Sequence, residues 1–348
     1  MRVLHLVPSL APHDAIGTHT RLLHEALLAA GIDSEIVADE ALDGAQATPF
    51  AALRRRRLDA ATVVWYQAST TSPMAAWVRT QVRARRLLTY HNVTPWQYQE
   101  QTNVEVARAL WRARGELTHL APAVHLASTV SRFNARDLRR LGVDEVRILP
   151  PLIELGEPAE PAPARPSGSR WIFVGRLVPH KRQDRLIAAL AIYRRTIDPS
   201  ATLALVGKAT EPSWRARLVD LAAAIGVEAA VEFIGDVDES GLRAEWREAS
   251  VYVSASDHEG FGFPLIEAMS AGVPVVALAR GAVAETIGRA GLLVTDEAPR
   301  ALAEAVALVE HDTEVRSALS AEAARRRAAL DPARVGPLYR ALAWEAAG

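Results

Sequence analysis

From Val251 to Met269 the chain reads VYVSASDHEGFGFPLIEAM. The apolar run Val251–Ser256 is typical of a buried strand, and Pro264 suits the first turn of a helix, because its missing N–H would have no partner there anyway. Gly260 and Gly262 let the backbone approach a ligand closely and leave N–H groups pointing outward. A strand, a glycine-rich turn and a helix in this order predict an α/β unit whose turn binds an anion or a hydroxyl group.

The same alternation of short apolar runs and helical periods extends through the rest of the chain. In the first half the predicted strands are Val3–Val7, Glu35–Ala38, Thr62–Gln67, Arg86–His91, Leu126–Val130 and Val146–Leu149. In the second half they are Trp171–Gly175, Thr202–Gly207, Val231–Gly235, Val251–Ser256, Pro274–Leu278 and Gly291–Thr295. The predicted helices include Thr18–Ala30, Asp184–Arg195, Trp214–Ile225 and Ala333–Ala347. Helix-length spacers between strands predict two doubly wound, Rossmann-like α/β domains, with a ligand cleft at the carboxyl ends of their strands.

A proline-rich segment separates the two series of strands. Six prolines lie between Pro150 and Ser169, which is incompatible with regular structure and predicts a linker. We therefore expect a first domain at 1–155, a linker at 156–169 and a second domain at 170–331. The last helix, 332–348, is expected to pack back on the first domain.

Composition excludes several classes of function. The 348 residues carry a net charge of −1, so no global electrostatic argument favours nucleic acid as a partner. The absence of cysteine excludes disulfides, thiolate catalysis and cysteine-based metal sites, and fits a reducing, cytoplasmic setting. No run of about 18 apolar residues is present, and the apolar start is too short for a signal peptide. We expect a cytoplasmic protein that is at most peripheral to a membrane.

Two carboxylates flank the glycine-rich turn. Glu267 lies about one turn into the predicted helix, where it can accept hydrogen bonds from a ribose diol, and Glu259 can accept them from sugar hydroxyls. An ordinary turn with a glutamate near a helix dipole would also contain Gly-x-Gly. Two carboxylates separated by seven residues around Gly-Phe-Gly-Phe-Pro are more specific to a binding site.

A basic loop follows the first strand of the second series and reads Gly175-Arg176-Leu177-Val178-Pro179-His180-Lys181. Arg176 offers a planar fork that matches phosphate oxygens, and Lys181 adds a mobile point charge. A departing nucleoside diphosphate develops negative charge, which two cations would stabilise. A solvated basic loop is the alternative, but a position at the carboxyl end of a strand favours the phosphate site.

Together these motifs resemble the donor site of glycosyltransferase family 4, whose members are retaining enzymes of the GT-B fold. The resemblance implies that Arg176 and Lys181 hold the donor diphosphate, Glu267 the ribose and Glu259 the transferred sugar. His91, at the end of a first-half strand, matches a family histidine that contacts the sugar, so we count it with Arg176, Lys181 and Glu259 as catalytic. The remaining expected donor-binding residues are Gly17, Gly175, Gly207, Phe261, Gly262, Phe263 and Leu265. The family's Gly-Gly pair is reduced here to Ile16-Gly17, and its Asn-Gly before the linker is replaced by Pro150-Pro151.

The resemblance also implies an activity. We expect a retaining hexosyltransferase that moves a mannose- or glucose-type sugar from a nucleotide-diphosphate donor to a hydroxyl of a glycan, glycolipid or metabolite, in bacterial surface polysaccharide or glycoconjugate synthesis. The first domain would serve the acceptor and the second the nucleotide sugar. Two alternatives remain open: a sugar-nucleotide-binding protein without transfer activity and a GT-B sugar-nucleotide epimerase.

Two further patterns bear on cofactors and partners. Asp236-Val237-Asp238 resembles the metal-binding triplet of another glycosyltransferase fold, but it leads from a loop into a helix, so we interpret it as capping and predict no metal or other cofactor. Arginines cluster at Arg54–Arg57 and at Arg79, Arg83, Arg85 and Arg86. Such clusters are typical of solvated helical faces. A basic surface of this kind can also bind anionic lipid headgroups.

Overall fold

The computed structural model describes residues 1–11, 14–42, 44–156 and 168–348. The predicted linker at 156–169 therefore lies almost entirely outside the described residues. The chain forms two compact units, of which the first comprises 1–100, 104–154 and 329–348, and the second comprises 101–103 and 155–328.

Strands and helices alternate along most of the chain. The strands are β1 Arg2–Leu10, β2 Asp33–Ala41, β3 Thr48–Pro49, β4 Thr62–Ala68, β5 Arg85–Tyr90, β6 Leu126–Thr129, β7 Val146–Ile148, β8 Arg170–Val174, β9 Thr202–Val206, β10 Val231–Gly235, β11 Val251–Ser254, β12 Val275–Leu278 and β13 Leu292–Val294. The helices are α1 Ala15–Leu28, α2 Phe50–Leu53, α3 Pro73–Thr80, α4 Val104–Leu120, α5 Arg132–Arg140, α6 Gln183–Thr196, α7 Pro212–Ala224, α8 Glu239–Glu248, α9 Phe263–Ser270, α10 Val283–Ile287, α11 Pro299–His311, α12 Thr313–Ala329 and α13 Pro332–Ala347.

The first unit is built on a parallel sheet in the order β3-β2-β1-β4-β5-β6-β7. One face packs against α1 and α13, where Trp65 and Tyr339 are fully buried. The other face packs against α3, α4 and α5 around Tyr66, Leu88 and Leu117. The order reverses between β1 and β4, and the crevice outside the carboxyl ends of two such strands is where ligands of doubly wound folds bind.

The second unit is built on a parallel sheet in the order β10-β9-β8-β11-β12-β13. Its core joins Trp171, Phe173 and Leu205 of the sheet with residues of α6 and α11, such as Leu190 and Val306. The order reverses between β8 and β11, the two strands after which the basic loop and the glycine-rich turn begin. The prediction of two doubly wound, Rossmann-like α/β domains is confirmed.

Helix α1 begins earlier than predicted. The sequence pattern starts it at Thr18, whereas the helix runs from Ala15, because Asp14 is its N-cap and accepts a hydrogen bond from the Gly17 N–H at 2.9 Å. Past its end, Gly31 has a left-handed φ of 73°, as a residue that terminates a helix often does.

Candidate active site

The two loops that carry the donor-site motifs lie side by side in the second unit. Strands β8 and β11 are paired neighbours, with Trp171 opposite Val251. The loops that leave their carboxyl ends are joined by a backbone hydrogen bond from the Asp257 N–H to the His180 carbonyl oxygen at 2.8 Å. The fold therefore brings the basic loop and the glycine-rich turn together at the strand-order reversal of this sheet.

Two glycines allow the strand ends to approach each other. Gly175 follows β8 with φ 147°, and Gly207 follows β9 with φ 133°. A Cβ at Gly207 would lie 2.3 Å from the carbonyl oxygen of Gly175, a distance that no side chain tolerates. Both positions belong to the predicted donor-binding set, and the close backbone contact between them explains why one of them must be glycine.

A predicted cation and a predicted carboxylate form an ion pair. The Lys181 Nζ donates to the Glu259 Oε1 at 2.6 Å, and the two side chains are only 17% and 13% exposed. Mutual neutralisation makes it less costly to hold both charges partly out of water. An anion that reaches Lys181 would compete with Glu259 for this cation and free the carboxylate to accept other hydrogen bonds.

Arg176 is the exposed cation at the beginning of the basic loop. Its carbonyl oxygen accepts a hydrogen bond from the Gln183 Nε2 at 3.1 Å, which fixes the backbone of the loop. Within the described part of the chain its guanidinium has no acceptor. His180 of the same loop is buried, and its pKa is lowered well below 6.5 by burial and then by Lys181 and Arg176, so it is neutral at physiological pH.

A charged network that the sequence did not indicate fixes the end of the basic loop. Arg182 has a left-handed φ of 53°, rare for a residue other than glycine. Its guanidinium bonds Asp184 at 2.9 Å and Asp257 at 3.1 Å, and Arg185 also pairs with Asp257. Asp257 thus ties α6 and the basic loop to the turn after β11. A positive φ and a charge network arise from tertiary packing, so no sequence signal could have identified them.

The glycine-rich turn packs against α10 and the segment that precedes this helix. A Cβ at Gly281 would lie 2.5 Å from the Glu259 carbonyl oxygen, so this position must be glycine. The same oxygen accepts from the Ala282 N–H at 2.9 Å, and the Thr286 Oγ1 donates to the Phe261 carbonyl oxygen at 2.6 Å. These bonds satisfy the turn's carbonyl groups away from the site.

The amide groups of Phe261, Gly262 and Phe263 lie at the start of helix α9. Gly262 has φ 90° and precedes α9, and Leu265 packs so closely on it that a Cβ would lie 2.6 Å from Leu265 Cδ1. Phe261 is buried edge-on against Phe263, with ring centroids 5.6 Å apart. The amides of these two residues and of Gly262 have no acceptor among the residues described, and they stand at the positive end of the α9 dipole. Amides without acceptors at the start of a helix can bind an anion or a hydroxyl, and that this turn does so stays a prediction.

Glu267 lies on α9 and is half-buried. Burial raises the pKa of its carboxyl from 4.5 to about 7. No donor in the described ranges bonds this carboxylate. The pKa of Tyr252 on β11 is raised by burial and further by Glu259 and Glu267, which indicates that both carboxylates lie near this one ring. Glu267 is therefore a desolvated acceptor that a pair of ligand hydroxyls would satisfy.

Gly17 and His91 belong to the first unit, and the other ten predicted residues belong to the second. Gly17 is in the first turn of α1, where a Cβ would lie 2.9 Å from the Ala11 carbonyl oxygen, so packing alone requires glycine. His91 directly follows β5 and is buried, and its Nε2 lies 2.7 Å from the Gln67 Oε1. Sequence reasoning missed Gln67, although a glutamine at the end of an apolar strand is a visible signal.

The acidic triplet caps a helix, as the sequence predicts. Asp238 is the N-cap of α8 and accepts from the Gly241 N–H at 2.7 Å and the Ser240 Oγ at 2.8 Å. In 1–11, 14–42, 44–156 and 168–348, no three His, Asp or Glu side chains are grouped as metal ligands would be. In the same ranges no helix combines the length and apolarity that crossing a membrane requires.

Comparison with known proteins gives consistent similarities. Residues 163–326 match the family described as "Glycosyl transferases group 1". The chain is 32% identical over 295 residues to a GDP-mannose-dependent alpha-(1-6)-phosphatidylinositol monomannoside mannosyltransferase of Mycobacterium tuberculosis, covering 77% of this chain and 72% of that protein. It is 34% identical over 195 residues to a D-inositol 3-phosphate glycosyltransferase of Jonesia denitrificans, covering 53% of this chain. The chain spans about half the length of such inositol-phosphate relatives, 45% in that case and 58% in the enzyme of Frankia alni.

Solved structures share the fold at low sequence identity. A sucrose-phosphate synthase from Thermosynechococcus elongatus superposes with a TM-score of 0.75 at 22% identity, covering 98% of this chain and 99% of that one. The Anabaena protein HepE in complex with UDP gives 0.73 at 20% identity, covering 99% of this chain and 100% of that one.

Proposed function

Because the chain belongs to the group 1 glycosyl transferases, the family 4 enzymes of the GT-B fold, we propose that it transfers a hexose from a nucleotide-diphosphate sugar to a hydroxyl acceptor. One observation carries the proposal. The Lys181–Glu259 pair, the open amides before α9 and the unbonded Glu267 carboxylate converge at the strand-order reversal of the second unit.

Each group fits one part of such a donor. Glu267 accepts the two hydroxyls of a ribose, while Arg176 and Lys181 face the diphosphate. The transition state develops negative charge on the leaving diphosphate, so cations and amides fixed beforehand stabilise it more than the ground state. Glu259, released from Lys181, accepts hydroxyls of the transferred sugar.

Two features of the reaction extend the proposal. We propose retention of the anomeric configuration, as in the family, by front-face attack assisted by the leaving phosphate. We also propose that no metal is needed, since Arg176, Lys181 and the amides supply the charge that a cation would otherwise provide. Analysis of the product's linkage checks the first, and an inverted anomer would contradict it. Activity in EDTA checks the second, and a loss that Mg²⁺ or Mn²⁺ restores would contradict it.

The names of the relatives suggest which substrates to try first. The mycobacterial relative is named for GDP-mannose, and the Jonesia relative for D-inositol 3-phosphate. A panel of GDP-, UDP-, ADP- and dTDP-linked glucose and mannose, with and without D-inositol 3-phosphate, should reveal one donor whose diphosphate is released faster when an acceptor is present.

The Lys181→Ala variant should lose at least about 100-fold of this activity, because a fixed cation at a developing anion contributes several kcal/mol. Arg243→Ala is the matched control, since Arg243 lies on the exposed face of α8. Tight donor binding without turnover would instead indicate a binding protein, and conversion of the donor to its epimer would indicate an epimerase.

We also propose peripheral contact with anionic membranes at the cytoplasmic face, where nucleotide sugars are made. Support comes from Arg54–Arg57, all exposed in the loop before β4, and from Val82, 75% exposed beside Arg79 and Arg83. Co-sedimentation with vesicles that contain phosphatidylserine should exceed that with phosphatidylcholine alone. Replacing Arg55 and Arg57 by Gln should weaken it, and equal sedimentation with both vesicle types would contradict the contact.

A further inference from the structure

A glutamine is buried next to His91 in the first unit. Gln67, in β4, is fully buried, and its Oε1 lies 2.7 Å from the His91 Nε2. Since β4 and β5 are paired, Gln67 being opposite Thr89, this contact is fixed by the register of the sheet. A buried hydrogen bond between neighbouring strands holds the imidazole ring in one orientation.

The direction of this bond decides where the proton of His91 resides. An amide oxygen only accepts, so the His91 Nε2 must carry the hydrogen. Burial keeps the ring neutral, since it lowers the pKa of His91 to about 3. A neutral imidazole has a single N–H group, so Nδ1 has a free lone pair and is an acceptor.

His19 of α1 completes the surroundings of the ring. Its own ring meets His91 at 64° with centroids 5.2 Å apart. His19 Nδ1 accepts from the Leu152 N–H at 3.0 Å, so its Nε2 carries the hydrogen. This Nε2 and the Gln67 Nε2 are both buried without a partner in the part of the chain that is described. His91 is therefore flanked by two donors that only a water or a ligand oxygen could satisfy.

We propose that Gln67 is a positioning residue for His91. It fixes the Nε2–H tautomer and so presents Nδ1 as an acceptor to a hydroxyl of the sugar substrate. The part that concerns substrate rests on the proposed function, whereas the tautomer does not.

The tautomer can be measured without substrate. In ¹⁵N NMR of the full chain, the unprotonated ring nitrogen resonates far from the protonated one, so the spectrum identifies which nitrogen of His91 carries the hydrogen. The wild type should show Nε2–H alone. Gln67→Leu should mix the tautomers, while Gln46→Leu, on an exposed loop, should leave them unchanged. A wild-type Nδ1–H signal, or a Gln67→Leu spectrum identical to the wild type, would overturn the proposal.

Kinetics test the link to substrate. Gln67→Leu should lower kcat/KM by about 10- to 100-fold, because a misplaced catalytic group lowers the rate by about that much. Gln67→Glu should keep most of the wild-type activity, because a carboxylate also accepts from Nε2–H. His91→Asn places its amide near the Nδ1 position and should retain more activity than His91→Gln. In a His91→Ala background, Gln67→Leu should have less than about a 3-fold effect, because it acts through His91.

Equal losses in both backgrounds would contradict a positioning role, and so would a failure of Gln67→Glu to rescue. If Gln67→Leu proves unstable in thermal melts, Gln67→Met, which keeps the volume but not the acceptor, replaces it. If no donor is ever turned over while the tautomer is as stated, the proposed function fails and the role of Gln67 toward the ring stands.

Discussion

At Gly207 a backbone with φ 133° lies against the Gly175 carbonyl, whereas Gly115 lies within α4 with nothing within 4 Å of its Cβ position. We predict that Gly207→Ala lowers the free energy of unfolding by about 1–3 kcal/mol through backbone strain. The clash of its Cβ with the Gly175 carbonyl oxygen should lower it further. Gly115→Ala should be stabilised by about 0.5–1 kcal/mol. Urea unfolding of both variants measures this, and a Gly207→Ala variant as stable as the wild type would contradict the close contact between Gly207 and Gly175.

The raised pKa of Glu267 links protons to stability. Its carboxyl binds a proton more tightly in the folded state, so its contribution to the free energy of unfolding is present at low pH and falls as pH rises from 4.5 to about 7. At pH 8 Glu267→Gln should therefore be more stable than the wild type, by on the order of 1–3 kcal/mol, and at pH 4 nearly equal. Unfolding between pH 4 and 8 tests this, with exposed Glu228→Gln as control. A difference independent of pH would contradict it.

At the residue scale the sequence predicts which side chains a site contains better than it predicts which of them bond to one another. That Lys181 and Glu259 each follow the end of a strand, and that Glu267 lies in the helix after the glycine-rich turn, could be predicted. That Lys181 pairs with Glu259, and that Gln67 bonds His91, depends on which strands are neighbours, and a single sequence does not contain that order. Neither hydrogen bond is therefore part of the sequence-based prediction.

At the scale of elements, α13 shows how much one helix contributes to the first unit. Tyr339 is fully buried against α1 and the sheet, with its ring 5.0 Å from that of His19, whereas Trp344 on the same helix is 60% exposed. We predict that Tyr339→Ala costs about 3–5 kcal/mol of unfolding free energy and that Trp344→Ala costs less than about 0.5 kcal/mol. Equal losses of unfolding free energy in the two variants, measured by chemical unfolding, would mean that burial of α13 does not stabilise this core.

Element boundaries could be predicted to within three residues for every strand that the sequence indicated. Parallel strands buried on both faces are continuous apolar runs, which are easy to recognise. Helix α4 is one of the helices that the sequence analysis does not name, and its exposed Val104 and Trp111, at 52% and 64%, blur its apolar stripe. The two-residue strand β3 is too short to leave a periodic signal.

At the scale of the molecule, two doubly wound units and membership of the group 1 glycosyl transferases follow from motifs that a single sequence displays. The base of the proposed donor and the identity of the proposed acceptor do not, because no motif in the sequence specifies them. Binding of the nucleotide is therefore the property that most directly connects the second unit to its proposed activity.

The decisive measurement is thermal stabilisation by GDP, UDP, ADP and dTDP of the wild type, Lys181→Ala, Glu267→Ala and the control Arg243→Ala. A diphosphate at 100 times its Kd should stabilise the native state by about 2.7 kcal/mol. One diphosphate should raise the melting temperature of the wild type and of Arg243→Ala, and both site variants should lose this response. If no diphosphate stabilises the wild type, or if the site variants respond as it does, the donor site is not where Lys181, Glu259 and Glu267 converge.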